Sequence, residues 1–120
     1  MRVSARKNLD QSLIALGIPF LGRGDHKKYL KRQANIMNKV AGLRRFGAAS
    51  LDLALVASGR VDGFWEEGLR VWDIAAGIIL VREAGGISLG IEKNEDPLVS
   101  GNIIAGNPNL VYALQKVLAT

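Results

Sequence analysis

Between Trp72 and Gly86 the chain has few options. Ile74, Ala75, Ala76, Ile78, Ile79, Leu80 and Val81 make a run too apolar for a helix with one wet side. Gly85-Gly86 closes the run, glycine being free to take the positive φ that ends a helix. The pattern predicts a helix over residues 72–84, buried within a larger fold. Asp73 opens that helix, and Glu66 ends the strand expected over residues 61–66. A buried helix that begins on a carboxylate holds a charged oxygen still. Such an oxygen suits a divalent metal. It also suits simple capping of the helix, since acids in the first turn are favourable, and spacing alone leaves both readings open.

The rest of the chain alternates in the same manner. Residues 12–17 form a short apolar run closed by Gly17 and Pro19, as a buried strand would be. Residues 19–24 read as a loop. Asp25 is placed to cap a helix over residues 27–41, with Lys27, Lys28, Lys31 and Arg32 near its start. Residues 43–46 are a strand candidate, and Gly47 turns the chain into a small-residue helix over 48–58. After the helix from Trp72, residues 87–89 suit a brief strand, 91–101 a loop and 102–106 a strand. Asn107 and Pro108 then begin a last helix that runs to about Leu118. Alternation of this kind predicts an α/β layered sandwich, a mixed, mostly parallel sheet covered by helices. No internal repeat or linker divides residues 1–120, which read as one domain.

Composition narrows the function classes. The chain has no cysteine, which excludes disulfides and thiolate metal sites. Charge interrupts the apolar runs too often for a membrane span. Residues 1–10 are polar and basic with no apolar core behind them, so they do not read as a secretory signal, and the cytoplasm is the default compartment. Residues 1–45 carry eleven Lys and Arg against Asp10 and Asp25, a balance of +9; the remainder balances at −4. A basic half suits RNA or another polyanion, or simply a solvated helix. Its aromatics, Phe20, Tyr29 and Phe46, make no nucleic-acid-reading pattern.

Three places can carry chemistry. At Phe46-Gly47-Ala48-Ala49 a helix N-terminus offers free N–H groups to an anion or hydroxyl oxygen, and small residues allow close approach. The same turn also suits tight packing against a neighbour. Glu66, after Phe64 and Trp65, can accept hydrogen bonds from polyol hydroxyls or can be an exposed strand end. Asp73 is the third, but Mg²⁺ needs several oxygen ligands and one aspartate does not make a site. His26 has no partner suggested by spacing, and Ser50, Ser58 and Ser100 lack a nucleophile-elbow pattern.

On these residues the chain resembles a known family. Leu43-Arg44-Arg45-Phe46-Gly47-Ala48-Ala49-Ser50-Leu51-Asp52-Leu53-Ala54, Val61-Asp62-Gly63-Phe64-Trp65-Glu66, Trp72-Asp73-Ile74-Ala75-Ala76-Gly77 and Val81-Arg82-Glu83-Ala84-Gly85-Gly86 are similar to the carboxyl-terminal half of the inositol monophosphatase family. Gly101-Asn102-Ile103-Ile104-Ala105-Gly106-Asn107 continues the likeness. The bacterial branch that includes the extragenic suppressor protein is the nearest in pattern. The resemblance implies that Asp73 binds catalytic Mg²⁺. It further implies that Glu66 hydrogen-bonds substrate hydroxyls, and that the backbone of Gly47, Ala48 and Ala49 faces the substrate ring. Family members hydrolyse phosphate monoesters with Mg²⁺-activated water, and many are inhibited by lithium.

The departures are equally informative. The family's amino-terminal half carries a Gly-Glu-Glu motif and an Asp-Pro-Leu/Ile-Asp-Gly-Thr motif that supply most metal ligands and position the water. Neither is present; Asp96-Pro97-Leu98 is followed by Val99. Ala48 stands where relatives often have Ser or Thr, and Gly90 where an aspartate is frequent. The chain thus reads as a carboxyl-terminal half with no catalytic residue of its own, expected to be inactive alone and to bind Mg²⁺ weakly. The expected substrate is a phosphorylated polyol such as inositol monophosphate, with histidinol phosphate, a sugar bisphosphate or a nucleotide 3′-phosphate as sister possibilities. Expected partners are the missing amino-terminal half or a second copy in a homodimer. The competing reading is a non-catalytic module that contacts RNA or the transcription machinery.

Overall fold

Side-chain alternation along three central strands builds the molecule. The computed structural model describes residues 1–19 and 25–119. Strands β1 (Leu13–Leu16), β2 (Gly42–Arg44), β3 (Gly63–Glu66), β4 (Ile87–Leu89) and β5 (Ile103–Gly106) form one sheet in the order β2-β1-β3-β5-β4. Ile14, Leu16, Trp65 and Ile104 point to one face, where α1 (His26–Met37) and α5 (Pro108–Ala119) bring Tyr29, Ile36, Val111, Leu114 and Leu118. Ala15, Phe64, Ile103 and Ala105 point to the other, against Leu53 and Val56 of α2 (Ala49–Ala57) and Ile74 and Val81 of α3 (Val71–Glu83). Both faces are covered, so β3 and β5 are buried at every residue and read as continuous rather than alternating apolar runs.

The sheet is mixed. β1 pairs in parallel with β2 and β3, while β5 runs antiparallel to both β3 and β4. The parallel set places the carboxyl ends of β1, β2 and β3 on one edge of the layer, and α2 and α3 begin there.

Several boundaries differ from expectation. α1 ends at Met37 rather than Ala41, and the second strand is Gly42–Arg44, so Phe46 belongs to the turn into α2. The stretch expected as loop over 91–101 contains a short helix, α4 (Pro97–Ser100), capped by Asp96, whose carboxylate accepts from the Leu98 N–H at 3.0 Å. Proline at the first helical position favours this turn, because its missing N–H would be unused there. The loop expected over 19–24 lies, beyond Pro19, outside the described residues.

Asp25 caps α1 as expected, accepting from Lys28 N at 3.1 Å. Asn107 accepts from Leu110 N at 3.0 Å, and its amide donates to the Ser4 and Arg6 carbonyls at 2.8 and 2.7 Å. Asp62 accepts from Leu13 N at 2.7 Å and from the Ser4 hydroxyl. These two buried polar side chains pin the amino-terminal arm beside the sheet. α3 is less enclosed than its composition suggests. Ile74, Gly77 and Val81 face inward, but Trp72 is 72 % exposed, and Ile79, Leu80 and, on α4, Val99 are exposed as well. No described segment packs over that side.

Candidate functional site

In an open α/β sheet, ligands sit outside the carboxyl ends of the parallel strands. A cavity of about 330 Å³ occupies that place here. Gly17 and Ile18 line it after β1, Arg45 after β2, and Glu66 from the end of β3. Gly47, Ala48, Ala49 and Ser50 line it from the turn into α2, with Asp52 one turn further on; Leu69 and Asp73 come from the entry to α3.

All five residues singled out from the sequence, Gly47, Ala48, Ala49, Glu66 and Asp73, therefore share one cavity. Gly47 has φ +89° with open space where a Cβ would lie, and α2 begins at Ala49. Ala48, the N-cap, makes no side-chain cap, so the first N–H groups of α2 keep their capacity to bind a ligand oxygen. Glu66 is 7 % exposed, and an ideal Cβ on Gly17 would overlap its carboxyl group. Glycine at position 17 is what lets the Glu66 side chain occupy its place.

Asp73 is half-buried and does cap its helix: Oδ2 accepts from Arg70 N at 3.1 Å. Capping engages one carboxylate oxygen through one bond, and the group still borders the cavity. The two readings of this residue are thus geometrically compatible. Beside it, the Arg70 guanidinium lies 5.6 Å from the Trp72 ring centroid, a cation–π pair on the surface. Among the described residues no group of three or more His, Asp or Glu side chains is arranged to hold a metal ion. Asp73 fits a hard cation by its chemistry, but the described residues do not make a full coordination shell around it.

Asp52 is the residue that sequence reasoning passed over. It is 1 % exposed, and its Oδ1 has no hydrogen-bond partner among the described residues. Burial, reinforced by the Glu66 charge and opposed by Arg45, pushes its carboxyl up to about 7. The signal was available: Asp52 is the lone charge in an otherwise small and aliphatic helix, one turn after Ala48 and Ala49, hence on their side of it.

Between α1 and α5 lies an ion cluster centred on a buried arginine. Arg32, 4 % exposed, donates to Glu67 at 2.8 Å, Glu92 at 2.6 Å and the Leu118 carbonyl at 3.0 Å. It joins α1, the end of β3, the segment after β4 and the end of α5. On the same face Tyr29 stacks on Trp65 at 5.4 Å between ring centroids.

Comparison with known proteins places the chain among relatives of one family. The chain is 52 % identical over 118 residues to an inositol-1-monophosphatase of Rhizobium meliloti, covering 98 % of this chain and 44 % of that protein. It is 46 % identical over 114 residues to the Nus factor SuhB of Escherichia coli, covering 95 % and 43 %. Among solved structures, the extragenic suppressor protein suhB of Bartonella henselae superposes with a TM-score of 0.92 at 50 % identity, over 98 % of this chain and 45 % of that one. The inositol monophosphatase of Anabaena superposes with a TM-score of 0.83 at 33 % identity, over 99 % and 47 %. The chain thus spans less than half the length of the curated relatives it matches. The model of the inositol monophosphatase family matches residues 1–120, and the chain belongs to that family.

Proposed function

We propose that this chain is the substrate- and metal-binding half of a Mg²⁺-dependent phosphomonoesterase that acts on a phosphorylated polyol such as inositol monophosphate. The observation that carries this reading is the convergence of Gly47, Ala48, Ala49, Glu66 and Asp73 on one cavity at the ends of β1, β2 and β3. Asp73 contributes a carboxylate oxygen to the metal. Mg²⁺, when bound, supplies charge that polarises the phosphoryl oxygens and acidifies water. Glu66 accepts hydrogen bonds from ring hydroxyls, and the start of α2 presents N–H groups to the ring. The remaining ligands come from a segment with the Gly-Glu-Glu and Asp-Pro-Leu-Asp-Gly-Thr motifs, joined to this chain or supplied by a partner. The chain alone is therefore inactive and binds Mg²⁺ weakly.

The test is an assay of inositol 1-phosphate hydrolysis with this chain joined to the amino-terminal half of a relative. Asp73→Asn lowers kcat/KM by on the order of 100-fold or more, as loss of a metal-binding carboxylate should. Unchanged turnover in that variant, or turnover by the 120-residue chain alone near that of the joined enzyme, overturns the reading.

A second reading has its own support. Lys27, Lys28 and Lys31 are exposed along α1 and Lys39 is exposed just after it, and one relative is named a Nus factor. On this reading the basic helix contacts RNA or the transcription machinery. Binding of RNA with a steep salt dependence, flattened by neutralising these lysines, favours it.

A further inference from the structure

A buried carboxyl group without donors around it is costly as an anion, because desolvation is not repaid by hydrogen bonds. Asp52 is buried, and one of its two oxygens lacks a donor among the described residues. It is 1 % exposed and borders the cavity, and the unpartnered oxygen is Oδ1. The neighbouring charges on the cavity wall are Arg45 after β2, Glu66 at the end of β3 and Asp73 at the start of α3. Among the described residues no set of three such side chains is arranged around it to hold a metal ion. A carboxyl group on the cavity wall is placed to hydrogen-bond with whatever fills the cavity.

We propose that the Asp52 carboxyl is a second hydroxyl-reading group of this cavity, acting beside Glu66 on a ligand that carries neighbouring hydroxyls. The inference rests on the cavity being the polyol site. Asp52 works in its neutral form. Its O–H donates to one ligand hydroxyl oxygen, while Glu66 accepts from a hydroxyl hydrogen. A neutral acid beside a carboxylate offers both a donor and an acceptor, which fits adjacent hydroxyls better than two like charges do. The carboxyl value of about 7 agrees with a group that keeps its proton up to neutral pH.

The test uses the 120-residue chain without metal, in a chelator, with myo-inositol as the probe and backbone amide NMR as the readout. Inositol shifts the amide signals of residues 47–52 and 66 in the wild-type chain. Asp52→Asn, which keeps a donor and an acceptor of the same shape, binds within about threefold of wild type. Asp52→Leu, similar in size but apolar, binds about tenfold more weakly. Wild-type affinity falls as pH rises through about 7, and the Asp52→Asn profile is flat there. Equal affinity in Asp52→Leu, a fall near neutral pH that persists in Asp52→Asn, or no inositol response in the wild-type chain overturns the inference. Circular dichroism confirms that each variant is folded before it is scored. Because metal is absent, this result is independent of whether Asp73 supports Mg²⁺ chemistry in the joined enzyme.

Discussion

Glu66 owes its position to an absent side chain. Its carboxyl group lies against Gly17, where any Cβ would overlap it. The Glu66 side chain can rotate away from an alanine, so Gly17→Ala costs little stability, about 1–2 kcal/mol, but moves the carboxylate out of register with the α2 turn. In the joined enzyme this substitution raises KM for inositol 1-phosphate about tenfold, equivalent to the loss of one good hydrogen bond; unaltered KM contradicts it. Asp52 makes a second prediction at the same scale. Its folded-state value of about 7 lies above the ordinary aspartate value of the unfolded chain. Between those two values the unfolded chain releases a proton that the folded chain keeps. Stability contributed by this group is therefore full at acid pH and is lost as pH rises toward 7, by up to ~1.4 kcal/mol per pH unit. Urea unfolding of wild type and Asp52→Asn checks the sign: the variant gains relative to wild type as pH is raised from 5 to 8, and a parallel pair of curves contradicts the account. The need for glycine at position 17 cannot be read from local pattern, whereas the lone charge of α2 marks Asp52 locally without giving its surroundings. Gly17 matters through its contact with Glu66, and Asp52 feels the charge of Glu66; both relations are distant in sequence. The acid at the end of a strand and the acid at the start of a helix are local signals, and so Glu66 and Asp73 are legible.

At the scale of elements, the packing of α2 against α3 and the anchoring of α1 set the frame of the site. Gly77 lets the two helices approach, since a Cβ there would overlap Leu53. Gly77→Ala overpacks this contact and destabilises the fold by about 1–3 kcal/mol, measurable by chemical denaturation; no loss would mean the helices can separate freely. Arg32 holds α1 to the β3 end through Glu67. Arg32→Met removes the guanidinium from a buried acid and costs about 3 kcal/mol, while the double variant Arg32→Met, Glu67→Gln recovers part of the loss. Equal stability in the single and double variants contradicts a charge-based origin. Helix starts are legible where a capping side chain announces them, as at Asp25 and Asn107. The helix α4 is harder to see, because its four residues lie in a polar stretch and its cap, Asp96, looks like any loop acid. The order of the strands is not legible at all. It depends on which edge each connection crosses, and β5 inserts between β3 and β4 although β4 comes first in the chain.

For the whole molecule, the outer side of α3 and the short α4 leave Trp72, Ile79, Leu80 and Val99 exposed. Apolar surface of this kind is what a docking face presents. The chain is expected to bind a hydrophobic dye or to self-associate, and light scattering of a dye-negative monomer would contradict this. The central claim concerns the start of α3, where Asp73 shares the cavity at the strand ends with Glu66 and the α2 turn. Mn²⁺, a paramagnetic stand-in for Mg²⁺, tests it directly in this chain, since even weak binding broadens nearby amide signals. The account predicts that residues 47–52, 66 and 73 broaden first and that Asp73→Asn abolishes the effect. Broadening centred on Asp10, Glu92 or Asp96 instead, or an unchanged pattern in Asp73→Asn, would contradict it.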